Sequence, residues 1–298
     1  MPWIQLKIPA DPDNADQLED LLMELGADAV SMEDAADQPL YEPDPGTTPL
    51  WHRTCVTGLF DATHDIEQLC GQVHDAWHQR TQQSLPEIDI SLVEDRDWER
   101  AWMEDFKPLR FGERLWIVPS WHDAPDPAAA NLLLDPGLAF GTGTHPTTAL
   151  CLEWLDGHEV EGSQVIDYGC GSGILGLAAL LLKAHHVIGV DTDPQALEAS
   201  RENARRNQVA PEKLDLYLPG DEPDTTADLV LANILAQPLI MLAPRLASKV
   251  RSGGDIVLSG ILSSQAREVM EAYEPWFVMD EPEQREEWVR LAGRRRDR

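Results

Sequence analysis

The sequence predicts two units in tandem, a small α+β unit followed by a larger α/β unit built on a doubly wound, mostly parallel sheet. Three observations point that way. In the first third, apolar spacing switches between two and 3.6 in the order strand, helix, strand, strand, helix, strand. From Gln164 onward, short β-branched runs alternate with helical stretches. The length of 298 residues also suits two domains of roughly 100–200 residues. The expected division is a first domain at 1–97, a helical linker at 98–108 and a second domain at 109–298.

Ile4, Leu6 and Ile8 alternate with Gln5 and Lys7, which predicts a half-buried strand. Ala15, Leu18, Leu22 and Leu25 then follow helical spacing, with Asp13 or Asn14 available as cap and Gly26 as stop. A short strand is expected at Ala29–Glu33, a Pro- and Asp-rich loop at 37–49, and a strand near Arg53–Phe60. Ile66, Leu69, Cys70, Val73 and Trp77 form a second helical stripe, and Ile88, Ile90 and Leu92 alternate as a last strand. The resulting order, βαββαβ, is the ferredoxin-like split arrangement. Trp98, Trp102 and Phe106 lie four apart and predict one face of a linker helix.

In the second unit, strands are expected at Val165–Ile166, Val187–Val190, Leu229–Leu231 and Ile256–Leu258, then at Trp276–Met279 and Trp288–Leu291. Arg294, Arg295 and Arg296 read as a solvated basic end.

Composition excludes several classes. Hydrophobic residues make up 43% and charged residues 26%, an ordinary globular balance that argues against disorder. The longest apolar run, Ile174 to Leu182, falls short of the ~18–20 residues of a membrane span. With no apolar signal core at the N-terminus, the expectation is a cytoplasmic protein. Cys55, Cys70, Cys151 and Cys170 have no metal-ligand spacing, so no metal is expected and all four read as buried or semi-buried.

The net charge is −30. Such a chain repels nucleic-acid phosphates unless a local patch is basic, so no direct nucleic-acid binding is expected. Residues 1–97 carry a net −17 and residues 98–298 a net −13. A solvated surface, adaptation to high salt and a docking face for a cationic partner all fit this skew.

The strongest local signal is Val165-Ile166-Asp167-Tyr168-Gly169-Cys170-Gly171-Ser172-Gly173, a strand entering a glycine turn that opens a helix at Ile174. Glycines there let backbone approach a ligand and adopt positive φ. The spacing of Gly169, Gly171 and Gly173 is G-x-G-x-G, whereas the dinucleotide fingerprint wants G-x-G-x-x-G. Val187 to Val190 leads into Asp191, 22 residues after Gly169, where a carboxylate can accept ribose hydroxyls. Asp193 reads as a helix cap, with Pro194 in the first turn. Asp228 to Asn233 is a buried strand whose last residue lies at the carboxyl end of the sheet, where ligands sit in such folds. The segment Asp135 to Thr148 carries three glycines, four threonines and His145 before a helix near Thr147, and suits a flap over a ligand. His145 alone is more often structural than catalytic.

The Asp167–Gly173 run, the Gly189-Val190-Asp191 strand end, the Asn233-Ile234-Leu235-Ala236 turn and the 135–148 segment together resemble the methyltransferase family of ribosomal protein L-eleven (L11), a class I S-adenosylmethionine-dependent family. The resemblance covers about residues 98–298 by motif and the first third by domain order. It implies a Rossmann-like seven-stranded sheet and S-adenosylmethionine as methyl donor. It further implies transfer to lysine side chains and the N-terminal α-amine of a basic ribosomal protein, recognised by the first domain. Donor contacts fall by motif position on Thr148, Asp167, Gly169, Gly171, Gly173, Asp191 and Asn233, and Asn233 is the expected catalytic residue. Methyltransferases acting on planar amide or adenine nitrogens carry Asn-Pro-Pro-aromatic, which Ile234-Leu235-Ala236 lacks. A glutamine, small-molecule or nucleic-acid methyltransferase is the alternative. A non-catalytic donor-binding protein and a nicotinamide oxidoreductase fit the motifs less well.

Overall fold

The computed structural model describes residues 2–36, 51–93, 106–135 and 143–297. The chain divides into two compact units, Met1–Asp105 and Phe106–Arg298.

The first unit runs β1 (Trp3–Ala10), α1 (Pro12–Glu24), β2 (Ala29–Asp34), β3 (Thr54–Asp61), α2 (Ile66–Thr81), β4 (Asp89–Val93). Its antiparallel sheet has the order β2-β3-β1-β4. Ile4, Leu6 and Ile8 of β1 and Val56 and Phe60 of β3 are buried against Leu18, Leu21 and Leu22 of α1 and Leu69, Val73 and Trp77 of α2. The period of two in β1 and the helical stripes therefore meet in one core.

Two details differ from expectation. Helix α1 has its N-cap position at Asp11, without a side-chain capping bond, and not at Asp13 or Asn14, because Pro12 suits the first turn, where its missing N–H is no loss. Strand β4 forms, yet Ile90 is 41% and Leu92 is 64% exposed. They share a face with the buried Leu6 and Ile4 opposite them, but β4 is the sheet edge. The expected loop at 37–49 and the 98–108 linker helix fall on or across residues outside those described; Phe106 to Pro108 are irregular.

The second unit begins with a three-stranded sheet absent from the sequence reading, β5 (Leu109–Phe111), β6 (Leu115–Val118) and β7 (Ala130–Leu133). There follow α3 (Pro146–Gly157), β8 (Gln164–Tyr168), α4 (Ile174–Leu181), β9 (His186–Val190) and α5 (Pro194–Arg206). Next come β10 (Leu214–Tyr217), β11 (Ala227–Asn233), α6 (Ala236–Lys249) and β12 (Val250–Leu262). The chain ends in α7 (Ala266–Tyr273), β13 (Phe277–Met279), β14 (Glu283–Arg285) and β15 (Trp288–Arg295).

The main sheet is ordered β10-β9-β8-β11-β12-β15-β13, with β14 pairing β15 as an eighth strand beyond the expected seven. The first five are parallel, and β15 runs antiparallel to β12, β13 and β14. One face buries Val165, Leu231, Val257 and Ala292 under α3 and α4, and the other buries Ile166, Ile188, Val230 and Leu258 under α6 and α7. Strands covered on both faces explain the near-continuous apolar runs in the sequence. The order reverses between β8 and β11, which opens a crevice at their carboxyl ends.

Arg294 and Arg296 are exposed, as expected of a solvated basic segment, and Arg295 is half-buried, yet all three have partners. Arg294 lies 3.6 Å from Asp255, Arg295 donates to the Ala247 and Val250 carbonyls at the end of α6, and Arg296 donates to Glu274 O.

Candidate donor-binding and transfer site

Strand β8 ends at Tyr168, and the chain folds back over β9. The Gly169 and Cys170 N–H groups both donate to Val190 O, at 2.7 and 3.1 Å. Gly169, Gly171 and Gly173 have φ of 78°, 55° and 79°, the left-handed region where a side chain is strained. A Cβ on Gly169 would also overlap Ile234 Cγ2. The G-x-G-x-G spacing is thus a demand of backbone shape and of close packing.

Asp167 is 1% exposed. Its Oδ2 accepts from Gly176 N–H at 2.9 Å, whereas Oδ1 is buried with no partner. Burial, reinforced by the nearby Asp191 charge, pushes its pKa up to about 7 despite the Gly176 bond.

Asp191 follows β9. Its Oδ2 accepts from Gly171 N–H at 2.8 Å and its Oδ1 from Asp193 N–H at 3.0 Å. The carboxylate expected for ribose hydroxyls therefore also ties the glycine turn to the end of β9. Each oxygen keeps acceptor capacity, since a carboxylate offers about four lone-pair sites. Asp193 caps α5, accepting from Gln195 N–H at 2.8 Å with Pro194 next, as its sequence context indicated.

Asn233 ends β11, beside β8 in the sheet. Its Nδ2 donates to Thr148 Oγ1 at 3.2 Å, and Thr148 is 1% exposed in the first turn of α3. With Nδ2 on Thr148, the amide Oδ1 remains an acceptor. His145 is the N-cap of α3: Nδ1 accepts from Thr147 N–H at 3.3 Å, and the ring packs edge-on against Trp288 at 4.9 Å. Burial lowers its pKa, which favours the neutral ring. His145 thus has a structural role as a helix cap. Residues 136–142 of the expected flap lie outside those described.

The fold thus brings Asp167, the three glycines, Asp191, Asn233 and Thr148 to the carboxyl ends of β8, β9 and β11. Sequence reasoning missed what holds them. Ser200 Oγ donates to Gly171 O at 2.8 Å and Asn203 Nδ2 donates to Ser172 O at 2.9 Å, so one face of α5 clamps the turn. Asn207 pairs with both the N–H and the carbonyl of Leu133, at 2.7 and 2.8 Å. Polar residues spaced three to four apart on an otherwise ordinary helix were the available signal. Gly260 was missed too. It has φ of 83°, and a Cβ there would come within 2.8 Å of Ile234 C and 3.2 Å of Ile234 N.

No group of metal ligands occurs among the described residues. The donor set suits a polar organic ligand instead: an unpartnered buried carboxylate oxygen, a glycine cradle that side chains would fill, and a second carboxylate at the adjacent strand end.

A family model described as ribosomal protein L11 methyltransferase (PrmA) matches residues 2–296. A protein of that name from Marinobacter nauticus is 80% identical over 297 residues, covering 100% of both chains. Another from Chromohalobacter salexigens is 57% identical over 296 residues, covering 99% of each. Among solved structures, a ribosomal protein L11 methylase from Lactobacillus delbrueckii subsp. bulgaricus superposes with a TM-score of 0.59 at 33% identity, over 64% of this chain and 100% of that one. With its sheet order, its glycine turn and a match along nearly its whole length, the chain belongs to the ribosomal protein L11 methyltransferase family.

Proposed function

We propose that this enzyme transfers methyl groups from S-adenosylmethionine to amines of ribosomal protein L11, both lysine side chains and the N-terminal α-amine. The observation that carries the reading is the convergence of two groups at the sheet's reversal point: Asp167, the glycine turn and Asp191 on one side, Asn233 bonded to Thr148 on the other. Residues 1–97 serve as the recognition domain, and their net −17 favours a cationic partner over a nucleic acid. No helix among the described residues is long and apolar enough to cross a membrane.

The donor, when bound, supplies a methyl group on a positively charged sulfur, already activated for displacement. The protein therefore has mainly to position, orient and exclude water. Gly169, Gly171 and Gly173 would cradle it, with Asp191 accepting hydroxyls and the free Asp167 Oδ1 accepting an N–H. Thr148 contributes from the start of α3. Asn233 Oδ1 would accept one N–H of the incoming amine while Nδ2 stays committed to Thr148. The amine must arrive neutral, although a lysine starts near pKa ~10.4, so desolvation at the site has to favour loss of its proton. His145, the imidazole closest in sequence to Thr148, is committed as a cap and is not assigned as a base.

The test is incubation with methyl-labelled donor and a ribosomal extract. Label in L11, stable to RNase and lost to protease, is the expected result. Label in RNA would favour the nucleic-acid alternative, and label in small molecules would favour that one.

A further inference from the structure

We infer that Ile234 is a positioning residue, a spacer held between two glycines that sets the acceptor-side turn against the donor-side turn. The inference rests on the reading of Asn233 as the transfer residue and extends it to a neighbour with no polar side-chain atom.

The chain leaves β11 at Asn233, turns through Ile234 and Leu235, and enters α6 at Ala236. On one side, Ile234 Cγ2 occupies the space a Cβ on Gly169 would need. On the other, the Ile234 backbone rests on Gly260, where even a methyl group would approach its carbonyl carbon to 2.8 Å. Gly260 can accept that approach because β12 is irregular there: its pairing with β15 shifts register between Leu258 and Ile261, and φ at Gly260 is 83°. Ile234 is thus seated by β8 on one side and β12 on the other, and Asn233 is one peptide away. Any slack at Ile234 moves the Asn233 amide relative to the glycine turn.

The geometry also says which quantity should change. The glycine turn does not depend on Ile234 for its position. Val190 O holds Gly169 and Cys170, Asp191 holds Gly171, and Ser200 and Asn203 hold Gly171 and Ser172. Loosening Ile234 should spare donor binding and degrade transfer. The atom that matters is a methyl branching from Cβ, which valine retains and leucine lacks.

The experiment compares Ile234→Val, Ile234→Ala and Ile234→Leu in the full chain, measuring donor Kd by calorimetry and single-turnover methyl transfer to L11. Ile234→Val should keep both within about threefold. Ile234→Ala and Ile234→Leu should keep Kd within about threefold and lose about 10- to 100-fold in transfer, the scale of a misplacement near 1 Å. Leucine matching valine, or alanine transferring at the wild-type rate, overturns the inference. Amide exchange provides an arm that needs no methyl acceptor. Donor binding should slow exchange at Leu235 and Ala236 in wild type and Ile234→Val but not in Ile234→Ala, and equal slowing in all three overturns the spacer. Wild-type enzyme that binds donor but methylates no L11 contradicts the substrate reading alone, and the exchange arm then decides Ile234.

Discussion

Both oxygens of Asp191 accept backbone N–H groups, so this residue shapes the glycine turn as well as offering acceptors to a ligand. Asp191→Ala should leave a folded protein whose donor affinity falls about tenfold to several hundredfold, since charge-assisted bonds are worth ~1.5–3 kcal/mol each. Calorimetry showing unchanged affinity in a folded variant would remove Asp191 from the site. Asp167 makes a different prediction. Its pKa of about 7 lies above the ordinary 3.8, so the fold favours the neutral acid. Its contribution to stability is complete below about pH 4 and is lost as pH rises through about 7. Without donor, wild type should therefore lose thermal stability relative to Asp167→Asn between about pH 4 and pH 7. Donor affinity should tighten through that range in wild type and stay flat in the variant, if the ionised carboxylate holds an N–H of the ligand. Parallel melting curves would contradict the buried acid. Motif spacing made Asp167, Asp191 and Asn233 legible because their chemistry depends on side-chain type at fixed offsets. Ile234 and Gly260 were not legible, because close approach between distant strands leaves no mark on one segment's pattern.

Helix α5 acts as an element rather than as single residues. Ser200 and Asn203 clamp the glycine turn, and Arg206 meets Asp135 at 2.8 Å, while Asn207, just past the helix end, joins Leu133. Asn203→Ala removes a donor from the buried Ser172 carbonyl. It should cost about 1–3 kcal/mol of stability and weaken donor binding without touching the ligand. A thermal melt with a donor titration checks both, and unaltered donor affinity would show that the clamp is redundant. Elements with a clear period, such as β1 and α2, were readable from sequence, and the central strands β8, β9, β11 and β12 were readable from their continuous apolar runs. Strands β5, β6, β7, β10 and β14 were not, each being only three or four residues long, where period two barely emerges; β13 is as short and was read from its apolar run instead. Strand β4 was legible as a strand, yet its apolar alternation did not report burial, since exposure of Ile90 and Leu92 follows from its place at the edge.

At the scale of the molecule, chemistry and charge are divided along the chain. Every proposed donor contact lies after Asp135, and the second unit has its own cores on both faces of its sheet. The first 97 residues carry −17 and none of these contacts. A fragment beginning near Arg96 should fold and bind donor yet methylate L11 poorly, because recognition raises the effective concentration of the amine at the site. Transfer by the full chain should slow as salt rises, since exposed charges are screened beyond ~8–10 Å. A fragment as active as the full chain on L11 would show that residues 1–97 are not the recognition domain. In the proposed reaction, a methyl group passes from a donor seated at β8 and β9 to an L11 amine at Asn233. Intact-mass measurement of purified L11 after incubation with donor and either wild-type enzyme or Asn233→Ala tests it most directly. With wild type, mass steps of one methyl group that are lost on amine blocking are expected; with Asn233→Ala, a far slower rise, by a factor larger than any loss of donor affinity. An unmodified L11 with wild type, or equal rates for the two enzymes, would contradict it.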